Sequence, residues 1–399
     1  MNIIDLFSGC GGMSLGFVRS GCRIVAANEI DEWASDTYKH NHPDVALTRG
    51  DIRKIKRWNS IIPSSMKQNV DGIVGGPPCQ GFSLSGNRDK HDPRNSLFMD
   101  FVRCVEHFQP KFFVMENVKG LLSMHTSKGR PVIEIILSEF SSVGYKAAYS
   151  ILNAAAYGVP QLRERVFIIG VRKEFPYSKR MIFPRPIIDS KKYITVDMAI
   201  SDLPLIEAGE GSERQEYLSR PRNAYQTLMR QKSDCVYNHV AMRHTQRLIE
   251  RFKVIKHGQS VADVPHEHSA LKRGNPKIKS GKVFSQNNMR AYGDIPCPTL
   301  AASFQSNFIH PRLNRNFTAR EGARLQSFPD NFVFLGKRTT MSWEKSLSQY
   351  QQIGNAVPPL LAKAIAENLI TYFNNIRSIV DDGDYSRSIQ MELFDAVRK

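Results

Sequence analysis

Apolar runs alternate with amphipathic stretches over roughly the first 175 residues of this 399-residue chain. Such alternation is typical of a mostly parallel sheet covered by helices, because each helix carries the chain back to the start of the next parallel strand. It therefore predicts an α/β fold. The strand-like runs lie at 2 to 7, 23 to 27, 71 to 74, 111 to 115, 148 to 152 and 165 to 171, and helix-like stretches lie at 96 to 108 and 131 to 143.

The residues that follow each run are candidate site residues, since ligands bind beyond the carboxyl ends of the strands in sheets of this kind. A glycine-rich turn begins at Gly9 after the first run, and Glu29 follows the second, 20 residues later. This pattern predicts a nucleoside site in which the carboxylate accepts from ribose hydroxyls, with a tight loop as the alternative. Asp51, after the third element, could accept from an adenine amino group or could cap a helix beginning at Ile52.

A thiol and a carboxylate follow neighbouring predicted strands. Cys79 lies in the segment Gly-Gly-Pro-Pro-Cys-Gln-Gly-Phe-Ser at 75 to 83, where prolines fix φ and glycines permit close backbone approach. Glu116 follows the next strand. The pair predicts covalent catalysis with acid assistance, and an inert buried thiol beside a solvated acid is the alternative.

Two arginines precede the last clear strand. Arg163 and Arg165 alternate in sequence, so in an extended segment they would point to the same side. Cations beside a thiol would lower its pKa or hold a phosphate. The alternative is a pair of arginines on an exposed edge strand.

Composition limits the partner and the compartment. Lysine and arginine exceed aspartate and glutamate by 55 − 38 = 17, which favours a polyanionic partner such as nucleic acid. The six cysteines form no C-x-x-C pair and no His/Cys metal spacing, so we expect neither a metal site nor a disulfide framework. No leader-like segment and no run of about 18 apolar residues occurs, which predicts a soluble cytoplasmic protein that makes no membrane contact.

The most basic part of the chain lies between about residues 176 and 298, where the alternation of strands and helices is absent. From 220 to 290 there are 15 lysines and arginines against 4 acids, a surplus of 11. Residues 272 to 282 carry five cations, two glycines and no acid. This composition predicts a flexible loop that follows phosphates, and a solvated basic surface is the alternative.

With these residues the chain resembles the DNA (cytosine-5)-methyltransferases over almost its whole length, in their bacterial restriction-modification form. Six motifs occur in the order typical of that family. They are Asp-Leu-Phe-Ser-Gly-Cys-Gly-Gly at 5 to 12, Gly-Pro-Pro-Cys-Gln-Gly-Phe-Ser at 76 to 83, Glu-Asn-Val at 116 to 118, Gln-Leu-Arg-Glu-Arg at 161 to 165, Arg-Glu-Gly-Ala-Arg-Leu-Gln-Ser-Phe-Pro-Asp at 320 to 330, and Gln-Ile-Gly-Asn-Ala-Val-Pro-Pro at 352 to 359.

The resemblance implies a Rossmann-like domain that transfers a methyl group from S-adenosyl-L-methionine, without a metal, to C5 of a flipped-out cytosine in double-stranded DNA. It assigns Cys79 as the nucleophile that adds to cytosine C6, Glu116 as the group that protonates N3, and Arg163 and Arg165 as supporting residues. The residues that it places around the methyl donor are Phe7, Ser8, Gly9, Cys10, Gly11, Gly12, Glu29, Ile30, Asp51, Ile52, Pro78, Leu97, Asn355 and Ala356.

The resemblance also implies a smaller, basic target-recognition domain. The expected domains are 1–175 for the first part of the catalytic domain, 176–298 for target recognition, 299–375 for a return to the catalytic domain and 376–399 for a polar, frayed or disordered tail. A helix at about 357 to 373 should make that return. The candidate DNA-contact residues are Gln80, Ser83, Arg243, Lys272, Arg273, Lys277, Lys279 and Arg290.

The family setting further predicts a monomer that shares its DNA site with a companion restriction endonuclease. Two alternatives remain at this point. A transfer-RNA cytosine methyltransferase would share the catalytic motifs, and a catalytically inactive DNA-binding relative would share the fold. The long basic interval argues against the first, and the intact Pro-Cys-Gln and Glu-Asn-Val segments argue against the second.

Overall fold

A computed structural model describes residues 1–64, 70–78, 96–126, 129–269, 271–272, 275–279, 285–341 and 343–381. The strands are β1 (Asn2–Leu6), β2 (Arg23–Glu29), β3 (Ala46–Arg49), β4 (Gly72–Gly75), β5 (Phe112–Val118), β6 (Tyr145–Asn153), β7 (Gln161–Leu162), β8 (Glu164–Arg172), β9 (Gly211–Gln215), β10 (Val236–Val240), β11 (Leu271–Lys272), β12 (Asn275–Lys279), β13 (Met289–Arg290), β14 (Cys297–Pro298) and β15 (Phe308–Ile309).

The α-helices are α1 (Gly12–Arg19), α2 (Glu32–Asn41), α3 (Ser96–Phe108), α4 (Val132–Ser142), α5 (Lys179–Ile182), α6 (Val196–Ile200), α7 (Ala224–Arg230), α8 (Gln246–Val254), α9 (Phe304–Asn307), α10 (Ala319–Leu325), α11 (Gln349–Asn355) and α12 (Pro359–Asp381). Short 3₁₀ turns, such as Ile52–Lys54 after β3, connect several of these elements.

Seven strands form the central sheet in the order β3-β2-β1-β4-β5-β8-β6. The first five pair in parallel, whereas β8 runs antiparallel to both of its neighbours. The predicted α/β fold with a mostly parallel sheet is therefore confirmed. β3 has no counterpart among the predicted strands, because it is a four-residue, partly exposed edge strand with a weak apolar pattern.

Successive strand residues point to opposite faces of the sheet, and here both sets are apolar, so helices cover both faces. Ile3 packs with α1 and α12 in one core cluster, and Ile4 packs with α3 and α4 in another. Gly16 allows α1 to approach α12, since a Cβ there would lie 2.5 Å from the Ala362 Cβ. The sequence therefore brings its C-terminal helix back against its first helix, as expected for residues 357 to 373.

A third core cluster joins elements from distant parts of the chain. It contains buried side chains of α6, α7 and β10 together with those of α9, α10 and α11. The predicted boundary between residues 298 and 299 thus crosses a shared core, and the domain bounds stay a prediction. Helix α12 continues to Asp381, so residues 376 to 381 of the expected tail are helical, while 382–399 lie outside the described residues.

The basic segment from 272 to 282 also differs from its prediction as a flexible loop. Its described backbone forms an antiparallel pair, with Leu271 opposite Lys279 and Lys272 opposite Asn275. Lysine is common on exposed edge strands, where its charge opposes pairing with another chain, so composition alone does not distinguish such a strand pair from a loop. Within the described residues, no helix is long and apolar enough to cross a membrane.

Candidate active site

A cavity of about 830 Å³ opens at the carboxyl ends of β1, β2, β4 and β5. Thirteen of the fourteen residues predicted around the methyl donor line it. The exception is Gly11, the left-handed residue that precedes α1, where a Cβ would lie 2.7 Å from the His42 Nε2. Gly11 thus shapes the turn and does not face the cavity.

The turn between β1 and α1 is open toward the cavity at Gly9. Its φ of +53° is in the left-handed region, and a Cβ placed there would meet no atom within 4 Å. By contrast, a Cβ on Gly12 would lie 2.4 Å from the Val357 carbonyl oxygen. The first glycine therefore leaves space for a ligand, and the second permits close packing against the segment after α11.

Glu29 ends β2 at the cavity wall and is fixed by backbone donors. Its Oε2 accepts from the Gly9 N–H at 2.7 Å, and its Oε1 accepts from the N–H groups of Ile30 and Asp31 at 2.9 and 2.8 Å. Burial raises the pKa of Glu29, although these hydrogen bonds oppose the shift. Carboxylate oxygens can accept more than one hydrogen bond, so Glu29 keeps acceptor capacity for a hydroxyl.

Asp51 caps a turn, which is one of the two roles that the sequence left open, and its place at the cavity is compatible with the other. Its side chain caps the 3₁₀ turn that begins at Ile52 by accepting from the Arg53 N–H, and it also lines the cavity. Hydrogen bonds from the Arg53 guanidinium are the main cause that lowers the pKa of Asp51. An ionised acceptor thus lies at the β3 side of the cavity.

Asp5 is a buried carboxylate of the cavity that the motif analysis named without a role. Its Oδ2 accepts from the Ser14 hydroxyl at 2.6 Å, whereas its Oδ1 is buried without a hydrogen-bond partner. Burial raises the pKa of Asp5 to about 7. A buried acceptor without a donor indicates a place where a ligand can supply one.

Glu116 lies within β5 and not after it, because the strand pairs with β8 as far as Val118. Its Oε1 is 3.1 Å from the Arg165 Nε, and both side chains are more than four-fifths buried. Burial raises the pKa of Glu116, and the charges of Arg165 and Arg163 oppose this shift. The Glu116 carboxyl group therefore binds its proton more tightly than a solvated glutamate does, although the Arg165 guanidinium lies beside it.

The Pro77–Pro78 segment is fastened to β5 next to Glu116. The Asn117 side-chain amide donates to the Pro77 carbonyl at 3.0 Å. A Cβ on Gly76 would lie 3.3 Å from the Glu116 Oε2, so the carboxyl group lies over the glycine backbone. Cys79, Gln80 and Ser83 lie outside the described residues, although Pro78, which precedes the thiol, lines the cavity.

Arg163 is fully buried and holds the segment that carries Asn355. Its guanidinium donates to the carbonyls of Leu300, Gly354 and Ala356 at 2.9, 2.9 and 3.2 Å. Burial lowers the pKa of Arg163 to about 9. The two predicted arginines thus act differently: Arg165 contacts Glu116, and Arg163 ties strand β8 to the returning chain.

Of the candidate DNA-contact residues, Arg243 is exposed. Arg273 lies outside the described residues, while the backbones of Lys272, Lys277 and Lys279 belong to the β11–β12 pair. The assignment of Arg290 is wrong. Its side chain is buried, and all five guanidinium N–H groups donate internally, to the carbonyls of Ile255, His310, Leu313 and Phe252 and to the Asn314 side chain.

Leu347 and Gln352 are among the residues of the cavity wall that were not predicted as site residues. Gln352 is the first residue of the last motif, so the motif itself could have identified it as a candidate site residue. Leu347 lies in an irregular segment before α11, and a single leucine there has no chemical signature. Within the described residues, no group of three histidine, cysteine or acidic side chains is placed to hold a metal ion.

Comparisons with known proteins agree with this geometry. Residues 1–371 match the family described as C-5 cytosine-specific DNA methylase. The chain is 62% identical over 381 residues to the Type II methyltransferase M.DdeI of Desulfomicrobium norvegicum, covering 96% of this chain and 91% of that protein. It is 38% identical to the Type II methyltransferase M1.HphI of Haemophilus parahaemolyticus, covering 94% and 88%.

Two solved structures are similar over nearly their whole length. One is described as a DNA modification methyltransferase encoded within an E. coli prophage, with a TM-score of 0.72 and 30% identity, covering 94% of this chain and 99% of that one. The other is the S. pombe Dnmt2 methyltransferase, with a TM-score of 0.56, 16% identity and the same two coverages, and it supports the fold alone.

The fold is that of a Rossmann-like methyltransferase. The chain belongs to the C-5 cytosine-specific DNA methylase family. It is a DNA cytosine-5 methyltransferase, as the six motifs predict.

Proposed function

We propose that this enzyme transfers a methyl group from S-adenosyl-L-methionine to C5 of a flipped-out cytosine in a specific sequence of double-stranded DNA. The observation that carries the proposal is the cavity itself, which extends from Glu29 and Asp51 at one end to Pro78 and Glu116 at the other. The proposed nucleoside site and the proposed proton donor thus share one cavity.

The residues present fit the methyl donor. Glu29 would accept from the ribose hydroxyls, Asp51 from the adenine amino group, and Phe7, Ile30 and Leu97 would pack against the rings. The buried Oδ1 of Asp5, which has no donor among the described residues, suits an ammonium group. The cavity volume of about 830 Å³ is within the range of roughly 300 to 1,000 Å³ of small-molecule sites.

The chain's own groups would activate the cytosine. The Cys79 thiolate donates an electron pair to C6 and forms an S–C6 bond, while Glu116 gives its proton to N3 as the ring electrons move toward it. The enamine so formed makes C5 nucleophilic. When bound, S-adenosyl-L-methionine supplies an electrophilic methyl group and leaves as a neutral thioether. Loss of the C5 proton to a base then expels the thiolate, and return of the N3 proton to the Glu116 carboxylate restores the neutral aromatic ring and the acid.

The raised pKa of Glu116 supports this role, because an acid must hold its proton near neutral pH to deliver it. After Glu116 has given up its proton, the positive charge of the neighbouring Arg165 stabilises the carboxylate that remains. Since a side chain cannot reach C6 inside a stacked duplex, the cytosine must rotate out of the helix, at a cost of a few kcal/mol.

Sequence selection is assigned to the interval 176–298, with 1–175 and 299–375 as the catalytic domain. The surplus of 11 cations between 220 and 290 supports a phosphate-contacting surface there. Exposed Arg243 and the lysines of the β11–β12 pair are the proposed contacts, together with Gln80, Ser83 and Arg273. A monomer would suffice, because one chain carries both the catalytic and the recognition segments.

The biological setting proposed is restriction-modification. The two curated relatives described above carry the name Type II methyltransferase, and a companion endonuclease would act on the same DNA site. Expression of the chain in a methylation-free host, followed by bisulfite sequencing, should show 5-methylcytosine at one short sequence. Unmodified DNA in the presence of soluble protein would contradict the proposal, and methylated RNA instead would favour a transfer-RNA enzyme.

Covalent catalysis has its own test. A duplex that carries 5-fluorocytosine at the methylated position lacks the C5 proton, so the enzyme should stay attached to it in denaturant. Cys79→Ala should bind the same duplex and the donor product without forming this adduct. An adduct with Cys79→Ala would assign the nucleophile to another residue.

A further inference from the structure

Leu347 forms part of the donor cavity, although it lies outside the six motifs. Glu29 and Ile30 line the same cavity, and Ile30 is 67% exposed. Leu347 and Ile30 therefore add apolar surface to the cavity that contains Glu29, the acid proposed for the ribose. Burial of a flat ring against such surface is favourable because it removes apolar area from water.

The backbone of Leu347 is held from both sides. Its N–H donates to the Asp31 Oδ2 at 2.8 Å, and its carbonyl accepts from the Gln352 Nε2 at 2.9 Å. These bonds come from helices α2 and α11, which lie more than 300 residues apart in sequence. An irregular segment is thereby fixed where its leucine meets the cavity.

Asp31 joins three parts of the site through separate groups. Its Oδ1 accepts from the Ala34 N–H at 2.8 Å and so caps α2. Its own N–H donates to the Glu29 Oε1 at 2.8 Å, while Oδ2 is the oxygen that receives the Leu347 N–H. The position of Leu347 is therefore coupled to that of Glu29 through one residue.

Gln352 has a single orientation because its amide is fully engaged. Its Oε1 accepts from the Thr37 hydroxyl at 2.7 Å, and its Nε2 donates to the carbonyls of Leu335 and Leu347 at 3.0 and 2.9 Å. The side chain is buried, so these bonds are not in competition with solvent. Gln352 also lies on α11, the helix that ends at Asn355.

We propose that Leu347 is a binding residue for the nucleoside part of the methyl donor, and that Asp31 and Gln352 are positioning residues that hold it there. This inference rests on the donor site proposed above. It adds an apolar contact from the returning chain to a site whose proposed polar acceptors, Glu29 and Asp51, lie in the first part of the chain.

Asp31→Asn provides the test because it removes one hydrogen bond and can keep the helix cap. The asparagine oxygen can still accept from the Ala34 N–H, but its amide nitrogen cannot accept from the Leu347 N–H. The probe is S-adenosylhomocysteine, which lacks the sulfonium charge, so loss of the Asp31 charge has little direct effect on it. We expect its dissociation constant, measured by calorimetry, to rise roughly three- to tenfold.

Leu347→Ala should raise that dissociation constant by a similar factor, and Leu347→Met should restore it to within about twofold, because methionine keeps most of the apolar area. In both Asp31→Asn and Leu347→Ala, KM for the donor should rise more than kcat falls. Asp36→Asn is the matched control, since this aspartate lies on the same helix and pairs with Arg49 at the surface. Its dissociation constant should equal that of the wild type.

The outcomes separate this inference from the proposed function. If the wild type binds S-adenosylhomocysteine and the Asp31 and Leu347 variants bind it equally well, the inference is wrong and the donor site stands. If these variants lose only thermal stability and kcat, their role is structural and the inference is again wrong. If the wild type itself does not bind the probe, the proposed donor site is wrong.

Discussion

The Nε of Arg165 lies 3.1 Å from the Oε1 of Glu116, across the antiparallel pair of β8 and β5. This contact places a cation beside a carboxyl group whose pKa burial raises. The two effects oppose each other, so the proton affinity of Glu116 depends on Arg165. In the proposed mechanism, this balance lets Glu116 give its proton to cytosine N3 while Arg165 stabilises the carboxylate that remains.

Arg165→Met should shift the pH dependence of methyl transfer. Removal of the guanidinium charge raises the pKa of Glu116 further, so the protonated form persists to higher pH. The alkaline limb of the profile of kcat/KM for DNA, where Glu116 loses its proton, should therefore move to higher pH while the maximum rate falls. Arg165→Lys keeps the charge and should leave the limb near its wild-type position. An alkaline limb that moves to lower pH in Arg165→Met would contradict the assignment of Glu116 as an acid.

Asp5 should make the folded state less stable as pH rises. Its folded pKa is about 7 and its ordinary value is 3.8, so the stabilising proton is fully bound below about pH 4 and is lost as pH rises through 7. Each tenfold change in proton affinity is worth about 1.4 kcal/mol, so the loss is on the order of 4 kcal/mol. Asp5→Asn, which can still accept from Ser14, should remove most of this slope.

Urea unfolding of Asp5→Asn and wild type between pH 4 and 8.5 measures the difference in the free energy of unfolding. The difference between the two proteins should grow from about pH 4 to about pH 7 and then level off, because above pH 7 the Asp5 carboxyl group is ionised in both the folded and the unfolded state. Parallel curves over the whole window would show that Asp5 does not bind its proton more tightly in the folded protein.

Gly16 should be sensitive to the addition of a single methyl group. A Cβ there would lie 2.5 Å from the Ala362 Cβ and 2.6 Å from the Pro359 carbonyl oxygen, so α1 and α12 would have to separate. Gly16→Ala should lower the free energy of unfolding by about 1 to 3 kcal/mol, despite the better helix propensity of alanine. Gly120→Ala is the control, because the nearest atom to its Cβ is 4.0 Å away. Equal melting temperatures for the two variants would contradict the close packing of α1 on α12.

Most of the predicted site was accessible from sequence because its residues follow strands. Glu29 ends β2, and Gly9 and Asp51 lie after β1 and β3; any parallel sheet brings such positions to one edge. Leu347 was not accessible in this way. It reaches the cavity through Asp31, 316 residues earlier, and pairing over that distance leaves no local pattern.

The arginines show a second limit of sequence reasoning. Arg290 and Arg243 lie in the same basic interval and have the same side chain, yet only Arg243 is exposed. Arg290 is buried because carbonyl groups from distant segments accept its hydrogen bonds, and the packing of those segments is not visible in the sequence. The arginines of the motif at 320 to 330 behave like Arg290: Arg324 is fully buried against Asp202 and Asp330.

Arg290→Ala and Arg243→Ala should therefore differ in kind. Loss of Arg290 leaves four carbonyls and one side-chain amide oxygen without their donors, which should lower the free energy of unfolding by on the order of 3 kcal/mol or more. Arg243→Ala should change stability by less than about 0.5 kcal/mol. If Arg243 contacts a phosphate, the salt dependence of DNA binding should also lose about one unit of slope in that variant. Denaturant unfolding and DNA titrations at several salt concentrations measure both effects. A folded Arg290→Ala protein with wild-type stability and weakened DNA binding would restore Arg290 as a DNA-contact residue.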